Sequence, residues 1–176
     1  MTDQLKLVIT RKGLDECIGA KSKGIKAELK WVSAGDRAYT PNPDQTALQN
    51  EVQRVEFGEY KDGAGATLQA TAKFSGPQEY PIKELGFWLA SGTLFGVISA
   101  PNTTLNYKPK DGHCIQPITL DLSALPSNTV TVVVGTENLN ILIDEEFTKM
   151  AIAQVDTMHR QIKQEFRLLD LEKKHA

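Results

Sequence analysis

Apolar and polar residues alternate along several stretches of this chain, and a period of two marks a strand with one face on a core. Leu5, Leu7 and Ile9 alternate at the start. Ile25, Ala27, Leu29 and Trp31 alternate against Lys26, Glu28 and Lys30, and a slip of one residue there would bury the lysines, so the register is well specified. Leu68, Ala70, Ala72 and Phe74 repeat the pattern. The stretch from Lys83 to Ser99 is apolar on both faces. Leu85, Phe87 and Leu89 share one face, with Gly86 and Trp88 on the other. After Ala90-Ser91-Gly92-Thr93, Leu94, Gly96 and Ile98 stand opposite Phe95 and Val97. Gly92 supplies the positive φ of a short hairpin loop. A hairpin apolar on both sides is expected at the centre of the domain, and Leu85, Phe87, Leu89 and Phe95 are its candidate core residues.

Helical spacing is rarer. Thr10 can cap a helix from Arg11 to Lys21, with Leu14, Cys17, Ile18 and Lys21 at helical intervals and Gly24 as its stop. Asp44 can cap a short helical piece over Thr46 to Asn50. Val52–Tyr60 and Ala66–Phe74 read as a strand pair turning at Asp62-Gly63-Ala64-Gly65, with further strands near 103–107, 113–122 and 129–134. The expected fold class is therefore α+β: a mainly antiparallel β head with one short N-terminal helix, followed by a long C-terminal α-helix. The head is placed at 1–138 and the connector with the long helix at 139–176.

That second part rests on a change of character. From Asp144 onward the chain has no Pro or Gly, Asp144 can act as N-cap, and acidic and basic residues sit at the two ends as the helix dipole favours. A helix of that extent would be about 45 Å long. Phe147, Ala151, Val155, Met158, Ile162, Phe166 and Leu169 are spaced 4, 4, 3, 4, 4, 3, an eleven-residue repeat. Glu165 takes a position that a strict heptad would make apolar. Such a period predicts a nearly straight or weakly right-handed bundle of helices. The seven residues are the candidate oligomerisation stripe; a helix folded back on its own head would use the same stripe.

Composition narrows the function. With 40% hydrophobic and 24% charged residues the chain is globular in type. A net charge of −2 argues against nucleic acid as a partner, and Lys21, Lys23 and Lys26 read as a solvated face. No charged residue occurs between Glu84 and Lys108, a length that invites comparison with a membrane span. Ser91-Gly92-Thr93 and Pro101-Asn102 cut it into strand-length halves, so membrane insertion is not expected. The first residues lack the basic start and apolar core of a signal peptide, which implies synthesis in the cytoplasm. Cys17 and Cys114 read as buried free thiols.

No catalytic constellation is found, and neither a cofactor nor a metal is expected. Gly63-Ala64-Gly65 lacks the remainder of a dinucleotide fingerprint, and no phosphate-binding G-x-x-x-x-G-K-(S/T) or G-x-S-x-G elbow is present. His113 beside Cys114 has no second ligand pair. His159 and His175 fall on the expected terminal helix as solvated residues, and Asp144, Glu145 and Glu146 suit capping better than acid–base work.

Three stretches carry a resemblance. They are Leu5-…-Leu7-Val8-Ile9-Thr10-…-Gly13, then Gly35-…-Tyr39-Thr40-Pro41 with Thr46-Ala47-Leu48-…-Asn50-Glu51, then Glu84-Leu85-Gly86-Phe87-Trp88-Leu89 with Gly92-Thr93-Leu94-Phe95. In this order they resemble the N-terminal domains of contractile-phage tail fibres, the tail-collar fibre group shared with R-type pyocins. Pro117–Leu122 and Val130–Val132 resemble the end of the same domain, so the likeness spans roughly residues 3 to 135. The resemblance implies a virion tail protein, not an enzyme: a homotrimer whose heads dock a fibre to a phage baseplate protein. The chain stops at Ala176 without a distal receptor-binding domain, so a fragment, or an adaptor for a separate distal fibre protein, is expected. The competing reading is a small carbohydrate-binding module, for which Trp31, Trp88 and Tyr39 are the candidate stacking residues.

Overall fold

Alternating apolar residues close into one curled sheet. The computed structural model describes residues 6–63, 66–126, 129–135 and 158–167. The chain divides into two compact units, Met1–Leu139 and Asn140–Ala176. In the first, β1 (Val8–Ile9) and α1 (Arg11–Ser22) precede β2 (Ala27–Gly35), β3 (Glu51–Asp62) and β4 (Thr67–Ser75). Then come β5 (Tyr80–Ile82), β6 (Glu84–Leu89), β7 (Leu94–Ser99), β8 (Asn106–Lys108), β9 (His113–Asp121) and β10 (Val130–Val132). The sheet runs β1-β7-β6-β2-β3-β4-β9, with β10 added parallel to the start of β2, and β5 and β8 pair separately. All pairings but that of β10, and the bridge from Phe57 to Val134, are antiparallel.

The hairpin of β6 and β7 lies toward one edge of the sheet, not at its centre: β7 pairs with the two-residue edge strand β1, and the middle place is taken by β2, although every residue of β6 is buried. Leu85, Phe87, Leu89 and Phe95 are at most 3% exposed and belong to the main core with Leu29, Phe57, Phe74 and Leu120. A second cluster on the other face of the hairpin holds Leu48, Trp88, Leu94 and Val97, with Trp31 and Tyr39 against it.

Two bulges explain why strict alternation misplaced residues. The pairing of β2 with β6 shifts between Leu29 and Trp31, leaving Lys30 as the extra residue. Ala27 and Leu29 precede the bulge and Val32 and Ala34 follow it, all in the main core. Trp31 therefore joins the second cluster instead of continuing the Leu29 face. In the hairpin Phe87 opposes Gly96 while Trp88 opposes Leu94, so Phe95 is the extra residue and turns into the main core, away from Val97. A third shift falls between Phe57 and Glu59, where β3 passes from pairing with β2 to pairing with β4. Each bulge adds local twist and bends the sheet. The sheet curls far enough that its two outermost strands, β1 and β9, border one cleft of about 540 Å³ beside α1.

Helix α1 begins and ends as its sequence dictates. Thr10 accepts a hydrogen bond from the Gly13 N–H, and its own backbone is extended. At the other end Gly24 has φ 74°, and the N–H groups of Gly24 and Ile25 return to the carbonyls of Lys21 and Ala20. Those two bonds are the Schellman pattern.

Two expected helices are corrected. Residues 44–50 form turns and bends. The N–H groups of Gln49 and Asn50, which a helix would direct to Gln45 and Thr46, go instead to the Glu84 carboxylate at 3.0 and 2.9 Å. Asn42 and Gln45 cross-bond the preceding turn through their side chains. The long C-terminal helix is the larger correction. Among the described residues the helix there, α2, covers 158–167, so in place of one long C-terminal helix the described residues form a mostly antiparallel β fold with two short helices. Its apolar residues Met158, Ile162 and Phe166 are 62%, 51% and 66% exposed, so no burial reinforces a helix that hydrogen bonding alone leaves marginal. Phe147, Ala151, Val155 and Leu169 lie outside the described residues.

Candidate functional site

Glu84 opens β6 and is fully buried, yet it is ionisable, so its carboxylate must find partners. It finds three. Oε2 accepts from the Tyr39 hydroxyl at 2.9 Å and the Gln49 N–H at 3.0 Å, and Oε1 accepts from the Asn50 N–H at 2.9 Å. Gln45 Nε2 donates to the Tyr39 oxygen at 2.9 Å and to the Ala47 carbonyl at 3.0 Å, extending the network. Burial, with the adjoining carboxylate as a lesser cause, pushes the Tyr39 hydroxyl up to about 12, although the Gln45 bond opposes the shift. Gly35 leaves the space: a Cβ there would stand 2.4 Å from Glu84 Oε1 and from the Asn50 carbonyl oxygen. The loop between β2 and β3 is thus fastened to the β6–β7 hairpin by one carboxylate.

The start of the chain reaches the same hairpin. Thr10 donates its N–H to the Phe95 carbonyl at 2.9 Å and its hydroxyl to the Leu94 carbonyl. The Arg11 N–H donates to the Pro43 carbonyl at 2.8 Å, and its guanidinium meets Asp44 at 2.8 Å, although that ion pair is exposed. The three stretches quoted above, separate in sequence, therefore meet around β6 and β7.

The candidate aromatic residues are engaged internally. Trp88 is 5% exposed, its indole N–H donates to Ser33 Oγ at 2.7 Å, and the Arg54 guanidinium lies 3.7 Å from its ring centre. Glu51 holds that guanidinium through two bonds of 2.8 and 3.0 Å. Trp31 is half-buried with Lys30 Nζ 4.8 Å from its ring centre, and the Tyr39 hydroxyl is committed as described. Of the three, Trp88 is enclosed, while Trp31 and Tyr39 are part-buried against the second cluster.

A second buried charge, not singled out from sequence, is Lys108. It is fully buried, and its ammonium donates to the carbonyls of Gly76, Gln78 and Pro109 at 2.6, 2.8 and 2.7 Å. Those bonds hold the turn before β5 against β8. A lysine that ends a three-residue strand just before Pro109 carries no periodic signal, which is why the pattern did not disclose it.

The remaining candidates are separated by the fold. His113 is exposed while Cys114 is buried on the opposite side of β9, so strand alternation divides the pair. Both cysteines are free and buried; burial pushes the Cys17 thiol up to about 11, with Glu16 adding to it, and also raises Cys114. Among the described residues no three His, Cys, Asp or Glu gather as metal ligands, and no helix is long and apolar enough to cross a membrane. The cleft between β1 and β9 mixes Leu7, Ile9 and Leu14 with Lys6, Thr119 and Asp121. Hydrogen bonds from the Ser123 hydroxyl and N–H hold the Asp121 carboxyl below its ordinary value. Of the seven stripe residues, Met158, Ile162 and Phe166 are seen exposed along one side of α2. Compared with known proteins, the chain matches no family model and no curated protein.

Proposed function

We propose that this chain is a structural component of a contractile-phage tail fibre: the N-terminal part that fastens the fibre to the tail baseplate and self-associates, as a trimer, through α2. The observation that carries the reading is the meeting of the three resembling stretches. Thr10, the Tyr39–Asn50 loop and Glu84 are distant in sequence yet bond to one another or to the same hairpin. Their polar groups are spent on holding backbone in place, which suits a load-bearing head better than a catalyst. The exposed Met158, Ile162 and Phe166 add a face that a second copy can cover. Burying such side chains contributes roughly 1.5–3 kcal/mol each.

In this reading the protein is made in the host cytoplasm and resides in the virion tail, with a baseplate protein on one side and a distal fibre protein on the other. Light scattering on the full chain should give three times the monomer mass at micromolar concentration. Antibody against the chain should decorate the baseplate of contractile particles in electron micrographs. A monomeric chain together with undecorated baseplates would overturn the proposal.

A further inference from the structure

The apolar face of α2 is flanked by opposite charges on its two sides. With about 100° between successive residues, Ile162 lies at the centre of the face and Met158 and Phe166 about 40° to either side. His159 and Lys163 follow at about 60° and 100° on one side, and Glu165 and Gln161 at about 60° and 100° on the other. The helix itself gives these charges no partners. Three and four residues from Glu165 stand Gln161, Ile162, Leu168 and Leu169, without a cation. Around Lys163 the same positions are His159, Arg160, Phe166 and Arg167, without an acid. Neighbours at those spacings are what a helix surface can pair, and like charges there are unfavourable.

We infer that the occupant of this face is α2 of a second copy, laid parallel, with Lys163 of one copy paired to Glu165 of the next. This rests on the self-association proposed above and adds its direction and its specificity. When two copies lie parallel with their apolar faces together, the right flank of one meets the left flank of the other, so the basic side meets the acidic side. Antiparallel copies bring each flank against its own kind, setting Lys163 near Lys163 and Glu165 near Glu165. Flanking charges are what set orientation and partner choice between packed helices. The same geometry closes around a ring of copies, because every interface repeats one basic and one acidic flank.

The test uses the full chain. Lys163→Glu and Glu165→Lys each place like charges at every interface and should weaken association at least about fivefold, as read by analytical ultracentrifugation at low salt. The double variant, carrying both exchanges, restores opposite charges and should recover association. Orientation is read by mild oxidation of chains carrying Met158→Cys or Phe166→Cys, Cys17 and Cys114 being buried. Parallel copies cross-link Met158→Cys to itself. Antiparallel copies cross-link only a mixture of the two variants, since these positions are about 12 Å apart along one helix and a disulfide cannot span that. Self-cross-linking with recovery in the double variant is the expected result. Cross-linking confined to the mixture, or a double variant no better than the singles, overturns the inference while self-association stands. A wild-type chain that remains monomeric overturns both.

Discussion

Replacing Glu84 with glutamine keeps the side-chain volume and removes only the charge and part of its accepting capacity. The carboxylate accepts three hydrogen bonds, from the Tyr39 hydroxyl and the Gln49 and Asn50 N–H groups, at a site with no solvent exposure. A glutamine can keep its oxygen toward Tyr39 and Gln49, but its NH2 then faces the Asn50 N–H, donor against donor. One buried donor left unmade costs about 1–3 kcal/mol, and turning two bonds from charged to neutral acceptors removes roughly 1 kcal/mol more. The expected loss is therefore about 2–4 kcal/mol, with no cavity term because the volume is conserved. Urea unfolding measures it as a lower midpoint at unchanged slope. Tyr39→Phe, made singly and together with Glu84→Gln, should show a coupling of about 0.5–3 kcal/mol, since the two groups share one bond. A loss below about 0.5 kcal/mol, the range of an ordinary surface change, would refute the claim that this carboxylate fastens the loop.

Three further outcomes are expected. Gly13→Ala and Gly19→Ala lie on the same helix and should act with opposite sign: a Cβ at 13 meets the Phe95 backbone at 2.7 Å, whereas nothing lies within 4 Å at 19. Thermal melting should fall for the first and rise for the second, by up to about 1 kcal/mol from propensity; equal shifts would dismiss the contact. Lys108→Met should cost about 1–3 kcal/mol by leaving the Gly76, Gln78 and Pro109 carbonyls without their donor, and hydrogen exchange should quicken around 76–79. Alkali should destabilise the head: Cys17 and Tyr39 have pKa values raised by burial from 9.0 to about 11 and from 10.0 to about 12. Their contribution is complete below the ordinary values and disappears as pH rises through the raised ones, so stability should be level to pH 9 and fall between 9 and 12. A head equally stable at pH 8 and 12 would contradict that burial.

The helix–turn chemistry of α1 and the β6–β7 hairpin were legible because the deciding interactions are local, whereas the place of that hairpin near one edge of the sheet was not. Thr10 bonds a residue three positions on, Gly24 takes up a positive φ at the end of its own helix, and Gly92 does the same at the hairpin turn. The identity of Leu85, Phe87 and Leu89 as core followed from alternation within one strand. Where a bulge intervened the alternation misled, because the extra residue at Lys30 or Phe95 is determined by the partner strand and not by the strand itself. The loop at 44–50 shows the same limit: its sequence suits a helix, and a carboxylate some 34 positions away takes the N–H groups that a helix would need.

The C-terminal stripe illustrates the limit most clearly. Its eleven-residue period is a property of the sequence, and so are the opposite charges flanking Ile162. Periodicity states which residues would share a face if a helix formed; it does not supply the burial that sustains one, and α2 is seen over ten residues with that face in solvent. The sequence by itself determined strand faces, caps and turns, since those depend on neighbours a few residues apart. Tertiary structure alone decided the bulges, the buried partners of Glu84 and Lys108, and the curling that brings β1 and β9 to one cleft, because each depends on groups that meet only after the chain has folded.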